Sequence, residues 1–158
     1  MNHLKLSGLF LAMSICCAQL RAQTKVQLNE PDKNRTQLFS TLPQKLNVSV
    51  NDLAQLLSGN QETGKEVSLP LSDSKTTGLS GKIISAAIKY QNTMRSVVVR
   101  LSDFKGATLT VSSFTHPDGT VTYSGRIISF QHADLFELQY QNEQYFLIKK
   151  NYYELVNE

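Results

Sequence analysis

The sequence predicts a mainly β fold with one short helix, in which an antiparallel meander of about seven strands forms a small barrel or a two-layer sandwich. Three observations carry this expectation. From Glu66 onward apolar and polar residues alternate, which gives each segment one dry face and one wet face. The segments are separated by short turn sequences, His116-Pro117-Asp118-Gly119 and Gln141-Asn142-Glu143 among them. Finally, the chain repeats itself: Ser80-Gly81-Lys82-Ile83-Ile84-Ser85 returns as Ser124-Gly125-Arg126-Ile127-Ile128-Ser129, and Tyr90-Gln91-Asn92 returns as Tyr140-Gln141-Asn142. The second copy is longer between its two landmarks, so the repeat reads as one of strand pairs rather than of rigid spacing.

Residues 1–22 read as a secretory signal peptide, with Lys5 ahead of an apolar run, Leu9 to Ala18, that is too short to span a bilayer. Cleavage after Ala18 or Ala22 removes Cys16 and Cys17, the two cysteines of the 158-residue chain, and leaves a fold held by packing alone. The reading is of export to the periplasm, the outer surface or the medium. A lipid anchor on one cysteine is the less favoured variant, because Ile15 is a poor residue ahead of Cys16. The formal charge of +3 falls to +1 once Lys5 and Arg21 leave. No basic stripe remains to follow a phosphate backbone, and the expectation is no nucleic acid and no transmembrane segment in the mature chain.

Residues 23–45 read as a flexible arm ahead of a single β-rich domain over 46–158: 23–33 is polar and holds Pro31, and 34–40, with Leu38 and Phe39 as its apolar residues, can form a short helix before Pro43 interrupts. Ser49 is placed to cap a helix over 50–58 whose apolar stripe is Val50, Leu53, Ala54 and Leu57, with Gly59 closing it. The strands follow. Glu66 to Leu71 contains Pro70, which cannot donate to a ladder and marks an edge. Gly81 to Tyr90 is expected to put Ile84, Ala86, Ile88 and Tyr90 inward; Arg95 to Leu101 offers Val97, Val99 and Leu101; Ala107 to Phe114 offers Ala107, Leu109 and Val111. Thr120 to Ser129, Leu135 to Tyr140 and Tyr145 to Lys150 complete the series, with Phe136, Leu138 and Tyr140 on one face and Tyr152 to Val156 as a last extension. Gly81 and Gly125 fall inside strands at corresponding places of the repeat, and are expected to do the same structural job at a bend, a bulge or a close backbone approach.

Chemistry is sparsely represented. His132 and Asp134 offer an acid/base pair and His116 a third group, but all three sit in ordinary turn sequences, so the prediction is of no catalytic residue and no metal site. Serine is frequent without any nucleophile-elbow pattern around it, and no phosphate-binding glycine loop or cofactor motif occurs. The aromatic cluster at the C-terminal end is the one feature with a binding meaning, and Tyr145, Tyr152 and Tyr153 are the candidate contact residues, read as exposed side chains with an apolar body and a polar tip. Core packing of those rings is the simpler rival. The reading is a non-enzymatic exported β-rich binding or structural module, with a protein or glycan partner and no cofactor. A carrier barrel for a small apolar ligand is the alternative, and a hydrolase built on His132 and Asp134 a weaker one.

Overall fold

The structure is a computed structural model that describes residues 35–59, 61–71 and 78–152. The residues read as a signal peptide, the first part of the predicted arm and Tyr153 lie outside the described residues.

The described residues are mainly β with one short helix, and among them eight antiparallel strands form one sheet curled into a half-barrel. The strands are β1 (Lys45–Val48), β2 (Glu66–Leu69), β3 (Leu79–Lys89), β4 (Met94–Leu101), β5 (Thr108–Thr115), β6 (Val121–Ile128), β7 (Asp134–Gln141) and β8 (Gln144–Asn151); the helix α1 (Val50–Leu57) joins β1 to β2. Their order across the sheet is β1-β8-β7-β6-β5-β4-β3-β2. Strands β2 to β8 therefore form the expected meander, and β2, followed at once by Pro70, is an edge as the proline implied. The other edge is β1, a strand outside the predicted series.

The turn chemistry works as its residues dictate. Gly119 takes a positive φ of 83° in the β5–β6 turn and donates its N–H to the His116 carbonyl, while Asn142 and Glu143 turn β7 into β8 with left-handed φ angles of 49° and 62°. Helix α1 is capped by Ser49, whose Oγ accepts the Asn51 N–H at 3.1 Å. Its buried stripe is Leu53, Leu56 and Leu57, so the predicted stripe is corrected: Val50 and Ala54 face out. Leu56 and Leu57 are neighbours, and the pair sets the helix rolled toward them when it lies on the inner face of the sheet.

That inner face holds the core. Register links Leu46 of β1 to Leu147 of β8 and Leu138 of β7, Ile127 of β6 to Leu109 of β5 and Val99 of β4, and Val99 to Ile83 of β3. All of these are buried. The dry face expected for β3 needs correction. Leu79, Gly81 and Ile83 point inward; a bulge between Ile83 and Ser85 then shifts the parity, so Ala86 and Ile88 join the inner side where the helix no longer covers it, and Ile88 is 56 % exposed. Tyr90, in the turn beyond, is exposed as well.

The two glycines of the repeat are equivalent in structure. A Cβ on Gly81 would lie 2.2 Å from the Arg100 carbonyl oxygen, and one on Gly125 would lie 2.6 Å from that of Thr110. In each case the carbonyl belongs to the residue before the register partner, Leu101 or Val111. The larger repeat does not survive as a pair of matching strand pairs. Its first copy runs along β3 into one hairpin, whereas the second spreads its landmarks over β6 and the end of β7.

The arm assigned to residues 23–45 also needs correction over its described part, where 35–40 form irregular chain, bends and a turn rather than the expected short helix. Phe39 is fully buried, edge-on to Phe104 and Phe136, and Leu42 is buried beside it. Two charged side chains fasten this segment. Asp134 Oδ1 and Oδ2 accept the N–H groups of Leu38 (2.7 Å) and Phe39 (2.8 Å), and Lys149 Nζ donates to the carbonyls of Phe39 (2.6 Å) and Leu42 (2.5 Å). Burial pushes the Lys149 ammonium below the usual lysine range, and the Asp134 carboxylate opposes that shift.

Candidate binding face

Of the tyrosines singled out in the sequence, the two described ones, Tyr145 and Tyr152, are not brought together. Tyr145 is the second residue of β8 and Tyr152 follows its end, so about seven residues of extended chain, roughly 23 Å, separate them. Tyr152 is half-buried at the Ala133 end, its N–H donated to the Ala133 carbonyl and its ring beneath the Arg35 guanidinium at 5.5 Å. Its contacts fasten the segment after β8, and β8 itself stops at Asn151 rather than running on through Tyr152.

Tyr145 is 6 % exposed, against the expectation of an open side chain. The cause is its neighbours. It stands opposite Val48 of β1 and packs edge-on against Tyr123 of β6, with ring centroids 5.5 Å apart. Its Oη accepts the Tyr123 N–H at 3.0 Å. That bond stands where a ladder would otherwise run, because β6 and β7 pair over just three residues each, Arg126–Ile128 against Leu135–Glu137, and diverge beyond Gly125. Desolvation is the larger of two causes that raise the Tyr123 hydroxyl above the usual phenol range, the charge interaction with the Tyr145 hydroxyl the other.

The residue that sequence reasoning put in the core is the one left open. Tyr140 is 61 % exposed, although it lies on the inner side of β7 in register with Tyr145 and leans on that ring at 4.9 Å. Tyr123, Tyr145 and Tyr140 thus form a continuous aromatic series at one end of the half-barrel. The same row of the inner face continues from Tyr123 through Ser113 and Arg95 to Ile88. The alternation of Phe136, Leu138 and Tyr140 gave the correct side of the strand but not the exposure, because α1 is too short to cover this end.

The acid/base residues part company. His132 Nδ1 lies 2.7 Å from Ser129 Oγ, but Ser129 is fully buried and both Asp134 oxygens are engaged by main-chain N–H groups. His116 sits beyond the far end of β6, with Nε2 2.9 Å from Thr122 Oγ1. Among the described residues no group of three or more His, Cys, Asp or Glu side chains is placed to hold a metal ion. No described helix is long and apolar enough to cross a membrane.

No family model, curated protein or solved structure matches the chain. The geometry therefore carries the functional reading. What the aromatic end can do chemically is make contact: the Tyr140 and Tyr123 rings present apolar faces and are held by the buried Tyr145 ring, and the Tyr123, Tyr140 and Arg95 side chains offer donors at the margin.

Proposed function

We propose that this chain is an exported, non-enzymatic β-rich binding module that docks a protein or glycan partner on the tyrosine end of its inner face. The observation that carries the reading is Tyr140, 61 % exposed yet held against the buried Tyr145 ring at 4.9 Å. An aromatic side chain kept in water but already ordered loses little entropy on contact, which is what makes tyrosine effective at binding hot spots. The carrier alternative is weaker, since the space a hollow barrel would keep for a ligand is filled by Leu53, Leu56, Leu57 and Phe39. The hydrolase alternative would need His132 beside Asp134 and an accessible serine, and the geometry of Ser129 and Asp134 speaks against it.

The test separates contact from folding. Tyr140→Ser is expected to abolish association with native envelope preparations while melting within about 2 °C of the wild type. Tyr145→Ser is expected to lower the melting temperature by several degrees, because it removes a buried ring and the acceptor of the Tyr123 N–H. Wild-type association by Tyr140→Ser would sink the docking face.

A further inference from the structure

The inner-face row that begins with the tyrosines ends at a small cavity beside the C-terminal end of α1. It measures about 130 Å³ and is walled by Leu57, Ala86, Ile88 and Val97, with Arg95 and Gln61 as polar members. Arg95 is the one charged residue in the lining among the described residues. It is half-buried, on the same side of β4 as Val97, and its guanidinium has no hydrogen-bond or ion-pair partner among the described residues. A partly desolvated guanidinium with five donors and no acceptor is poised for an anion, a carboxylate above all.

Gln61 adds a second signal. Its Nε2 donates to the carbonyls of Leu56 (2.8 Å) and Ser58 (2.6 Å), which fixes the amide orientation, and its Oε1 is then left buried without a donor. A buried acceptor without a partner is costly and calls for a reason. The same bonds cap the end of the helix: Leu56 and Ser58 take the Gln61 amide and the Gln55 carbonyl takes the Ser58 hydroxyl and N–H, so the positive charge that an anion would need there comes from Arg95.

We infer that this cavity binds the C-terminal residue of a peptide ending in an aliphatic side chain, with the carboxylate on Arg95, the last N–H on the Gln61 side of the cavity and the side chain against Leu57, Ala86, Ile88 and Val97. The size agrees, since an apolar cavity of about 150 Å³ accommodates a benzene-sized group and this one matches a valine or leucine side chain. The inference rests on the reading of the chain as a binding module and gives that module's partner a chemistry. An N-acylated aliphatic amino acid is the smallest molecule with all three elements, and a free aliphatic acid has two of them.

The experiment is titration of the full chain, followed by calorimetry or amide chemical shifts, with N-acetyl-leucine, its C-terminal amide, isovalerate, and a nonapeptide ending in Gly-Gly-Leu. N-acetyl-leucine is expected to bind saturably in the millimolar range and its amide at least about 10-fold more weakly. Arg95→Gln is expected to lose about 10-fold or more in affinity, and Arg95→Lys to recover part of it. If Arg95→Gln fails to fold, the acid-against-amide comparison on the wild type still decides. Tighter binding of the nonapeptide than of N-acetyl-leucine supports a peptide end, whereas isovalerate binding as tightly as N-acetyl-leucine overturns it in favour of a free acid. Absence of saturation, equal binding of acid and amide, or unchanged affinity in Arg95→Gln overturns the site. Tyr140→Ser should leave N-acetyl-leucine binding intact, so loss of acid binding with a working tyrosine face removes the cavity alone, and the reverse result removes the face alone.

Discussion

Asp134 and Phe39 stand 95 residues apart in sequence and are joined by a hydrogen bond of 2.8 Å from the Phe39 N–H to Asp134 Oδ2 in the core. The other carboxylate oxygen holds the neighbouring N–H of Leu38, so one side chain, 1 % exposed, fastens the segment before β1 to the start of β7. Removing it leaves two main-chain donors without an acceptor. Asp134→Ala is expected to cost about 3 kcal/mol or more, and Asp134→Asn, which keeps one oxygen, about half as much. Urea denaturation at neutral pH measures both. A cost below about 0.5 kcal/mol for the alanine variant would mean that water enters and replaces the carboxylate.

The glycine pair gives a graded expectation. Gly81 and Gly125 do not carry positive φ angles, so their substitution is resisted by the facing carbonyl rather than by backbone strain. Gly81→Ala must move a Cβ or the Arg100 oxygen out of a 2.2 Å approach inside a continuous ladder between β4 and β2. Gly125→Ala faces a 2.6 Å approach on a strand whose other side has already parted from β7. The expected costs are about 3 kcal/mol for Gly81→Ala and about 1 to 2 kcal/mol for Gly125→Ala, against less than about 0.5 kcal/mol for Lys82→Ala, whose ion pair with Glu66 is exposed. Equal tolerance of all three by denaturant midpoint would show that the close approaches relax freely.

How far the sequence carries depends on how local each signal is. The β5–β6 and β7–β8 turns were legible because glycine, proline and asparagine act within their own few residues, and the capping of α1 by Ser49 was legible for the same reason. The inner faces of β4 and β5 followed from simple alternation. β1 was not legible, since Lys45-Leu46-Asn47-Val48 has two apolar residues and becomes a strand through its pairing with β8, far along the chain. The bulge in β3 leaves no local mark among Ile83, Ile84 and Ser85, so parity alone put Ile84 inward in place of Ile83, while Ala86 and Ile88 fall on the predicted side. The burial of Asp134 was not legible, since His132-Ala133-Asp134 reads as a turn and its donors, the N–H groups of Leu38 and Phe39, lie 96 and 95 residues away in sequence. Of the candidate site, the aromatic composition was legible and the exposure was not, because Tyr145 and Tyr140 face the same side of one hairpin and differ by what β1 and β6 place over them.

The outer face of β7 supplies a prediction in pH. Lys150 Nζ lies 2.6 Å from Glu137 Oε2, and Gln139 Nε2 donates to that same oxygen at 3.0 Å. The hydrogen bond from Lys150 is the largest cause, and that from Gln139 the next, holding the Glu137 carboxyl below the usual glutamate range against the opposing effect of burial. The folded carboxyl is thus the stronger acid, and between the folded and unfolded pKa values the unfolded chain binds more protons. The stabilisation is complete above the unfolded value of about 4.3 and is lost as pH falls through the folded one. Glu137→Gln keeps the shape and removes the charge, so it is expected to cost about 1 kcal/mol at pH 7. That difference should close as the pH falls through the folded pKa. Asp118, held low first by the Thr120 hydroxyl, is exposed and common to both proteins, so it cancels in the comparison. Denaturant unfolding of the pair at neutral pH and at intervals down to the acid limit reads the result. A gap that stays constant over the whole range would assign the cost of Glu137→Gln to packing and not to the ion pair with Lys150.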